Sequence, residues 1–136
     1  MQELTLKATI ENITRVMAFV DAQLEAFGCS TKVQRLIDIA IDELFSNIVH
    51  YGYAAQEGMA TVRVETQPDL RTVTIAFIDS GIPFNPLSHE DPSSSLAVKE
   101  RKAGGFGISI VKKSMDNVRY EYVDGCNVTT ITKKCQ

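Results

Sequence analysis

The sequence predicts an α+β domain, a two-layer α/β sandwich with helices on one face of a mixed, mostly antiparallel sheet. Two observations carry this. Four segments of alternating apolar and polar residues fall into two pairs joined by short turns, whereas three others repeat apolar residues at i, i+3, i+4 and i+7. Hairpins build antiparallel sheet, and three one-sided helices need a common apolar surface, which one face of that sheet supplies.

Leu4, Leu6, Ala8 and Ile10 alternate with polar residues, so a half-buried strand opens the chain. Asn12 is placed to cap a helix running to about residue 27, with Ile13, Val16, Met17, Val20, Leu24 and Phe27 on one stripe and Gly28 to end it. Ser30 or Thr31 then caps the clearest element, a core helix whose stripe runs from Val33 through Ile37, Ile41 and Leu44 to Val49. Strands near 60–66 and 72–78 follow, joined by Gln67, Pro68, Asp69 and Leu70.

From 81 to 105 the chain turns to Pro, Ser and charge, with Pro83, Pro86 and Pro92 excluding long regular structure. A loop of this length, bracketed by glycines, suits a hinged lid over about 82–103 or a plain surface segment. A third helix over about 106–115 leads into strands at 117–123 and 127–132, joined through Asp124 and Gly125.

The whole chain of 136 residues fits one domain, 44% apolar and 23% charged. Its net charge of −3, with Lys and Arg scattered, leaves no electrostatic footprint for nucleic acid or anionic lipid. No secretory signal or membrane-spanning run is visible, so a cytoplasmic location is expected. Cys29, Cys126 and Cys135 are odd in number and form no CxxC pair, and are read as reduced thiols rather than as a disulfide framework or zinc site. With His50 and His89 the only histidines, any metal must be held by oxygen.

Three clusters of residues carry possible chemistry. Glu43 and Asn47 lie four apart at one margin of the second helix's stripe, where a carboxylate and a carboxamide are expensive unless satisfied. A metal or phosphate ligand set would satisfy them, and so would neighbouring backbone or solvent. Asp38 and Asp42 fall on the other side, as solvated carboxylates without a role. Asp79 ends an apolar strand before Ser80 and Gly81, and could accept from an exocyclic amine or bond its own backbone two residues on. Gly104, Gly105, Phe106 and Gly107 run into a helix start, the setting in which exposed amides favour a phosphate, although a hinge or tight packing also uses glycines.

Taken in order, ELFSN on a helix, DSG after a strand and GGFGI into a helix resemble the GHKL ATPase superfamily, whose members include gyrase, heat-shock chaperone, histidine kinase and mismatch-repair ATPases. ELFSNIVHYGY, GGFGISIVKKSMDNVRYEY and the chain's brevity are most similar to the stand-alone bacterial anti-sigma factors that are serine-protein kinases. The resemblance implies a Bergerat-type sandwich binding ATP or ADP with Mg²⁺. It implies that Glu43 is the general base, that Asn47 ligates Mg²⁺, that Asp79 receives the adenine amino group, and that Gly81, Gly104, Gly105, Phe106 and Gly107 border the nucleotide. Thr129, on one strand face with Ile131, would bring a hydroxyl to the adenine end while Thr130 points away. Arg101 and Lys102 precede the glycines, where a cation could neutralise the terminal phosphate or simply be solvated. Pro83 departs from the superfamily pattern, standing where a second glycine is common and stiffening the first hinge.

The implied function is phosphotransfer from Mg-ATP to a Ser or Thr hydroxyl of an anti-anti-sigma-type partner. The alternative is a non-catalytic module that uses nucleotide to sequester a sigma factor or another regulator, with a homodimer compatible with either. A sensor histidine kinase would need a further helical hairpin bearing a phosphoacceptor, and His50 lies within the site helix itself.

Overall fold

The computed structural model describes residues 1–54, 56–88 and 107–136. Five strands form one sheet: β1 (Gln2–Lys7), β2 (Met59–Gln67), β3 (Thr72–Asp79), β4 (Asn117–Val123) and β5 (Cys126–Lys134). Their order across the sheet is β1-β2-β3-β5-β4, and every pairing is antiparallel, the simplest case of the expected sheet. Helices α1 (Ile13–Phe27), α2 (Thr31–Asn47) and α3 (Gly107–Ser114) complete the sandwich, with α2 packed between the other two.

The register sorts the side chains by face. Val62, Val64, Ile75, Phe77, Thr129 and Ile131 point into the helix layer and are buried, while Thr61, Arg63, Thr74 and Ala76 lie more open on the outer face. Val16, Val20 and Leu24 of α1 meet Ile37, Ile41 and Phe45 of α2 over that inner face, all completely buried. Each such side chain contributes about 1.5–3 kcal/mol relative to an exposed one. Among the described residues no helix is long and apolar enough to cross a membrane.

Helix ends follow the sequence signals with one exception. Ser30 accepts from the Val33 amide at 3.2 Å, and Gly28 closes α1 with φ 85°. Asn12 does not cap α1: a 3-10 turn over Ile10–Asn12 precedes the helix, and its side chain donates back to the Lys7 carbonyl at 2.8 Å. The apolar stripe of α2 extends past the helix itself, because the chain widens at Asn47 into a π turn over Ile48–Gly52 that keeps Ile48 and Val49 buried.

Two further expectations are corrected. Cys29 and Cys135 are not free thiols but a disulfide with Cα atoms 4.5 Å apart, and Cys126 alone stays unpaired. The end of β5 returns to the α1–α2 joint, where the Ser30 amide donates to the Cys135 carbonyl at 3.0 Å; a separation of 106 residues hides that neighbourhood in the sequence. Nor is Asp38 a simple solvated carboxylate. It meets Asp21 of α1, and Oδ1 of each is buried without a donor among the described residues. Burial, with Asp21 beside it, pushes the Asp38 carboxyl up to about 7, as two carboxyls sharing a proton require.

Candidate functional site

The polar margin of α2 reaches the layer boundary as its spacing requires. Glu43 is buried, 5% exposed, and Asn47 is half-buried one turn later. Gly107 opens α3 directly against Glu43, so close that a Cβ there would stand 2.3 Å from Oε1 and 2.8 Å from Cδ. With glycine there the carboxylate sits against the first turn of the helix, where a negative charge is favoured, and a larger residue would push it aside.

Asp79, 5% exposed, ends β3 at the same side of the sheet. Its Oδ1 accepts from the Gly81 amide and from Asn127 Nδ2, both at 2.9 Å. The local turn bond anticipated for an isolated Asp therefore exists, and it occupies only one oxygen; among the described residues no donor reaches Oδ2. Burial pushes this carboxyl above the usual carboxylate range, and the bonds from Asn127 and Gly81 oppose that rise.

Gly81 also meets a steric demand of its own, beside the close ligand approach expected of it. The turn after β3 crosses the π turn after α2, and a Cβ on Gly81 would lie 2.2 Å from the Gly52 carbonyl oxygen. That carbonyl accepts from the Ile82 amide at 2.8 Å. A Cβ on Gly52 would in turn come within 3.2 Å of Asp79 Oδ1. Tyr53 holds the crossing from below, its hydroxyl donating to the Met59 carbonyl at 2.6 Å and accepting from the Ser80 amide at 2.9 Å. Pro83 fits between two anchored amides, those of Ile82 and Phe84, and has none of its own to satisfy.

Asn47, Asp79 and Thr129 line one cavity, floored by Leu44 and Phe77 and bounded by Phe84 and Asn127. Thr129 is buried on the inner face opposite Phe77, as its alternation with Ile131 predicts. The structure thus brings Asn47, Asp79 and Thr129 together around one space, while Gly81 packs on Gly52 and bonds Asp79 and Glu43 and Gly107 pair one helical turn from Asn47. Arg101, Lys102, Gly104, Gly105 and Phe106 lie outside the described residues, as does 89–103 of the lid expected over about 82–103, whose first part includes a 3-10 turn over Pro86–Ser88. Asn127, Gly52, Tyr53 and Phe84 were missed. Of these, Gly52 and Tyr53 stood in the ELFSNIVHYGY stretch itself, whereas Asn127 looks like an ordinary residue following a hairpin turn.

The donor set is oxygen-rich and sulfur-free: a carboxamide at Asn47, a carboxylate at Glu43, a carboxylate and a hydroxyl at Asp79 and Thr129. No cluster of three or more His, Cys, Asp or Glu suited to a metal occurs among the described residues. Of the donor set, Asn47 could supply one oxygen to a hard cation such as magnesium, which needs only one or two from the protein.

A family model described as a histidine kinase-like ATPase domain matches residues 6–133. Among curated proteins the chain is similar to the serine/threonine-protein kinase BtrW of Bordetella bronchiseptica, 22% identical over 103 residues, covering 76% of this chain and 72% of that one. It is also similar to the anti-sigma F factor of Clostridium acetobutylicum, 24% identical over 98 residues, covering 72% and 67%. Among solved structures the catalytic domain of the histidine kinase ThkA superposes with a TM-score of 0.50 at 12% identity, covering 99% of this chain and 98% of that one.

Proposed function

The chain belongs to the histidine kinase-like ATPase domain family, and from that membership we propose that it is an ATP-dependent serine/threonine-protein kinase of the anti-sigma-factor type. Its fold, the Bergerat sandwich, is that of a nucleotide-binding domain. The observation that carries the finer reading is the grouping of Asn47, Asp79 and Thr129 around one cavity, with Glu43 one turn from Asn47 on the same helix.

In this reading Asp79 Oδ2 accepts the exocyclic amine of adenine, and the Thr129 hydroxyl lies beside the same ring edge. Asn47, through its carboxamide oxygen, would hold a Mg²⁺ ion at the phosphate end, and that ion would supply neutralisation of the charge developing there. Glu43 takes the proton of the attacking Ser or Thr hydroxyl, its carboxylate seated against Gly107. Gly104, Gly105, Phe106, Arg101 and Lys102 are assigned to the phosphate end by resemblance alone. The substrate is a small regulatory protein of the anti-anti-sigma type, a choice supported by relatives named as a serine/threonine-protein kinase and an anti-sigma factor. The second of those names also favours a parallel role, in which the same domain sequesters a sigma factor and nucleotide sets its shape.

The test is binding followed by transfer. Wild-type protein should bind ATP over GTP, and Asp79→Asn should erase most of that preference by removing a charged acceptor worth about 1.5–3 kcal/mol. Incubation with γ-labelled ATP and proteins encoded alongside it should then label one small partner on Ser or Thr. Equal affinity for ATP and GTP in the wild type would remove Asp79 from base reading, and binding without any labelled partner would leave the sequestering role.

A further inference from the structure

At 3% exposure, Asn127 is the most deeply buried amide side chain near the cavity, and every hydrogen-bonding position it has is used. Its Nδ2 donates to Asp79 Oδ1 at 2.9 Å and to the Ile82 carbonyl at 2.8 Å, and lies 3.5 Å from the Gly81 carbonyl. Its Oδ1 accepts from the Phe84 amide at 2.9 Å and from the Tyr120 hydroxyl. One carboxamide therefore ties together the end of β3, the strap that follows it and edge strand β4.

The strap narrows the cavity. Phe84 stacks on Tyr51 of the π turn, ring centroids 4.8 Å apart and planes within 10°. The space left beneath is about 20 Å³, which holds roughly one water rather than a purine. A base reaching Asp79 meets Phe84 at the wall of this space, and the main chain that carries Phe84 is anchored on Asn127 through its amide.

We infer that Asn127 is a positioning residue for base recognition: it fixes Asp79 with Oδ2 left for the ligand and clamps the Ile82–Phe84 strap across the pocket, so that it governs both base discrimination and nucleotide exchange. The inference rests on the nucleotide-binding reading and adds a residue and a kinetic role to it. Losing the Asn127 donor also removes a bond that opposes the burial-driven rise of the Asp79 carboxyl, leaving a poorer acceptor for an amine.

The experiment follows release of a ribose-labelled fluorescent ATP by stopped flow, with ATP and GTP competition, for the wild type, Asn127→Ala and Asn127→Asp. Asn127→Asp keeps the shape and the Oδ1 acceptor but sets a second carboxyl against Asp79 Oδ1, so that repulsion or a shared proton replaces the donor bond. Each variant should release nucleotide roughly tenfold or more faster, with the ATP preference reduced by a similar factor, since a hydrogen bond to a charged group is lost. Thermal melts establish that the variants are folded. Should neither fold, Tyr120→Phe removes one of the two bonds to Oδ1 and should speed release by roughly two- to tenfold. Unchanged release and unchanged preference in folded variants overturn the inference while the nucleotide reading stands. A folded wild type that binds no nucleotide overturns both.

Discussion

Replacing Gly81 with alanine puts a methyl group where two turns cross. Its Cβ would lie 2.2 Å from the Gly52 carbonyl oxygen and 2.4 Å from the carbonyl carbon. Both are main-chain atoms, so the contact is relieved only if one turn slides off the other. Overpacking of this kind costs roughly 1–3 kcal/mol. The slide also strains two bonds, Ile82 N to Gly52 O at 2.8 Å and Gly81 N to Asp79 Oδ1 at 2.9 Å. Losing one of them adds about 0.5–1.5 kcal/mol, for a total of about 1.5–4.5 kcal/mol. Urea denaturation followed by circular dichroism measures this, with Gly125→Ala as control. Gly125 has φ 76° and nothing within 4 Å of a Cβ, so its substitution carries only the left-handed penalty of roughly 1–2 kcal/mol. Gly81→Ala should also weaken nucleotide binding, which Gly125→Ala should not. A Gly81→Ala protein within about 0.5 kcal/mol of wild type, the scatter of ordinary surface changes, would refute the crossing as a packed contact.

Glu43→Gln should slow phosphotransfer to the partner roughly 10²- to 10⁴-fold while ATP affinity changes far less, because a base acts only while the proton moves; single-turnover transfer at the wild-type rate would retire Glu43 as base. Asn47→Ala should remove the Mg²⁺-dependent part of ATP affinity and spare the rest, so a titration with unchanged metal dependence would take Asn47 out of the site. The Asp21–Asp38 pair sets a sign for pH. With the folded carboxyl of Asp38 raised from 3.8 to about 7, the native state holds a proton that the unfolded chain has released, and stability falls as pH rises through that interval. Asp38→Asn should flatten that limb and gain on the wild type at pH 8; an identical slope in urea melts from pH 4.5 to 8 would show that no proton is shared.

Elements legible from the sequence were those whose cause is local. The apolar spacing of α2, the alternation that places Thr129 inward and the Asp124-Gly125 turn, with φ of 53° and 76°, all state their own geometry. Asn47, Asp79 and Thr129 were readable as a set because resemblance supplied the grouping that spacing could not. What stayed hidden depends on a partner far along the chain. Gly52 looks like any glycine until Gly81 crosses it, Asn127 gains its meaning from Asp79, Ile82 and Phe84, and Cys29 meets a cysteine 106 residues away. Asn12 has the right type for a cap and the wrong neighbour, since a 3-10 turn brings the Lys7 carbonyl to its amide instead.

Asp79 and Asn127 form the terminal rung of the β3–β5 ladder, at a sequence separation of 48. The β2–β3 and β4–β5 hairpins can zip from their turns, but this seam closes a long loop before any contact rewards it, and such pairings form slowly. Ladder ends also open first in the native state. The end of the pocket proposed to recognise the base thus lies at the end of a long-range seam, and a ligand held there would act as a late staple on the fold. At a hundredfold excess over its Kd it would add about 2.7 kcal/mol. Amide exchange along 77–79 and 127–129 should slow more than exchange at the β2–β3 turn when nucleotide is added, making the order in which the sheet is sealed visible in the folded protein.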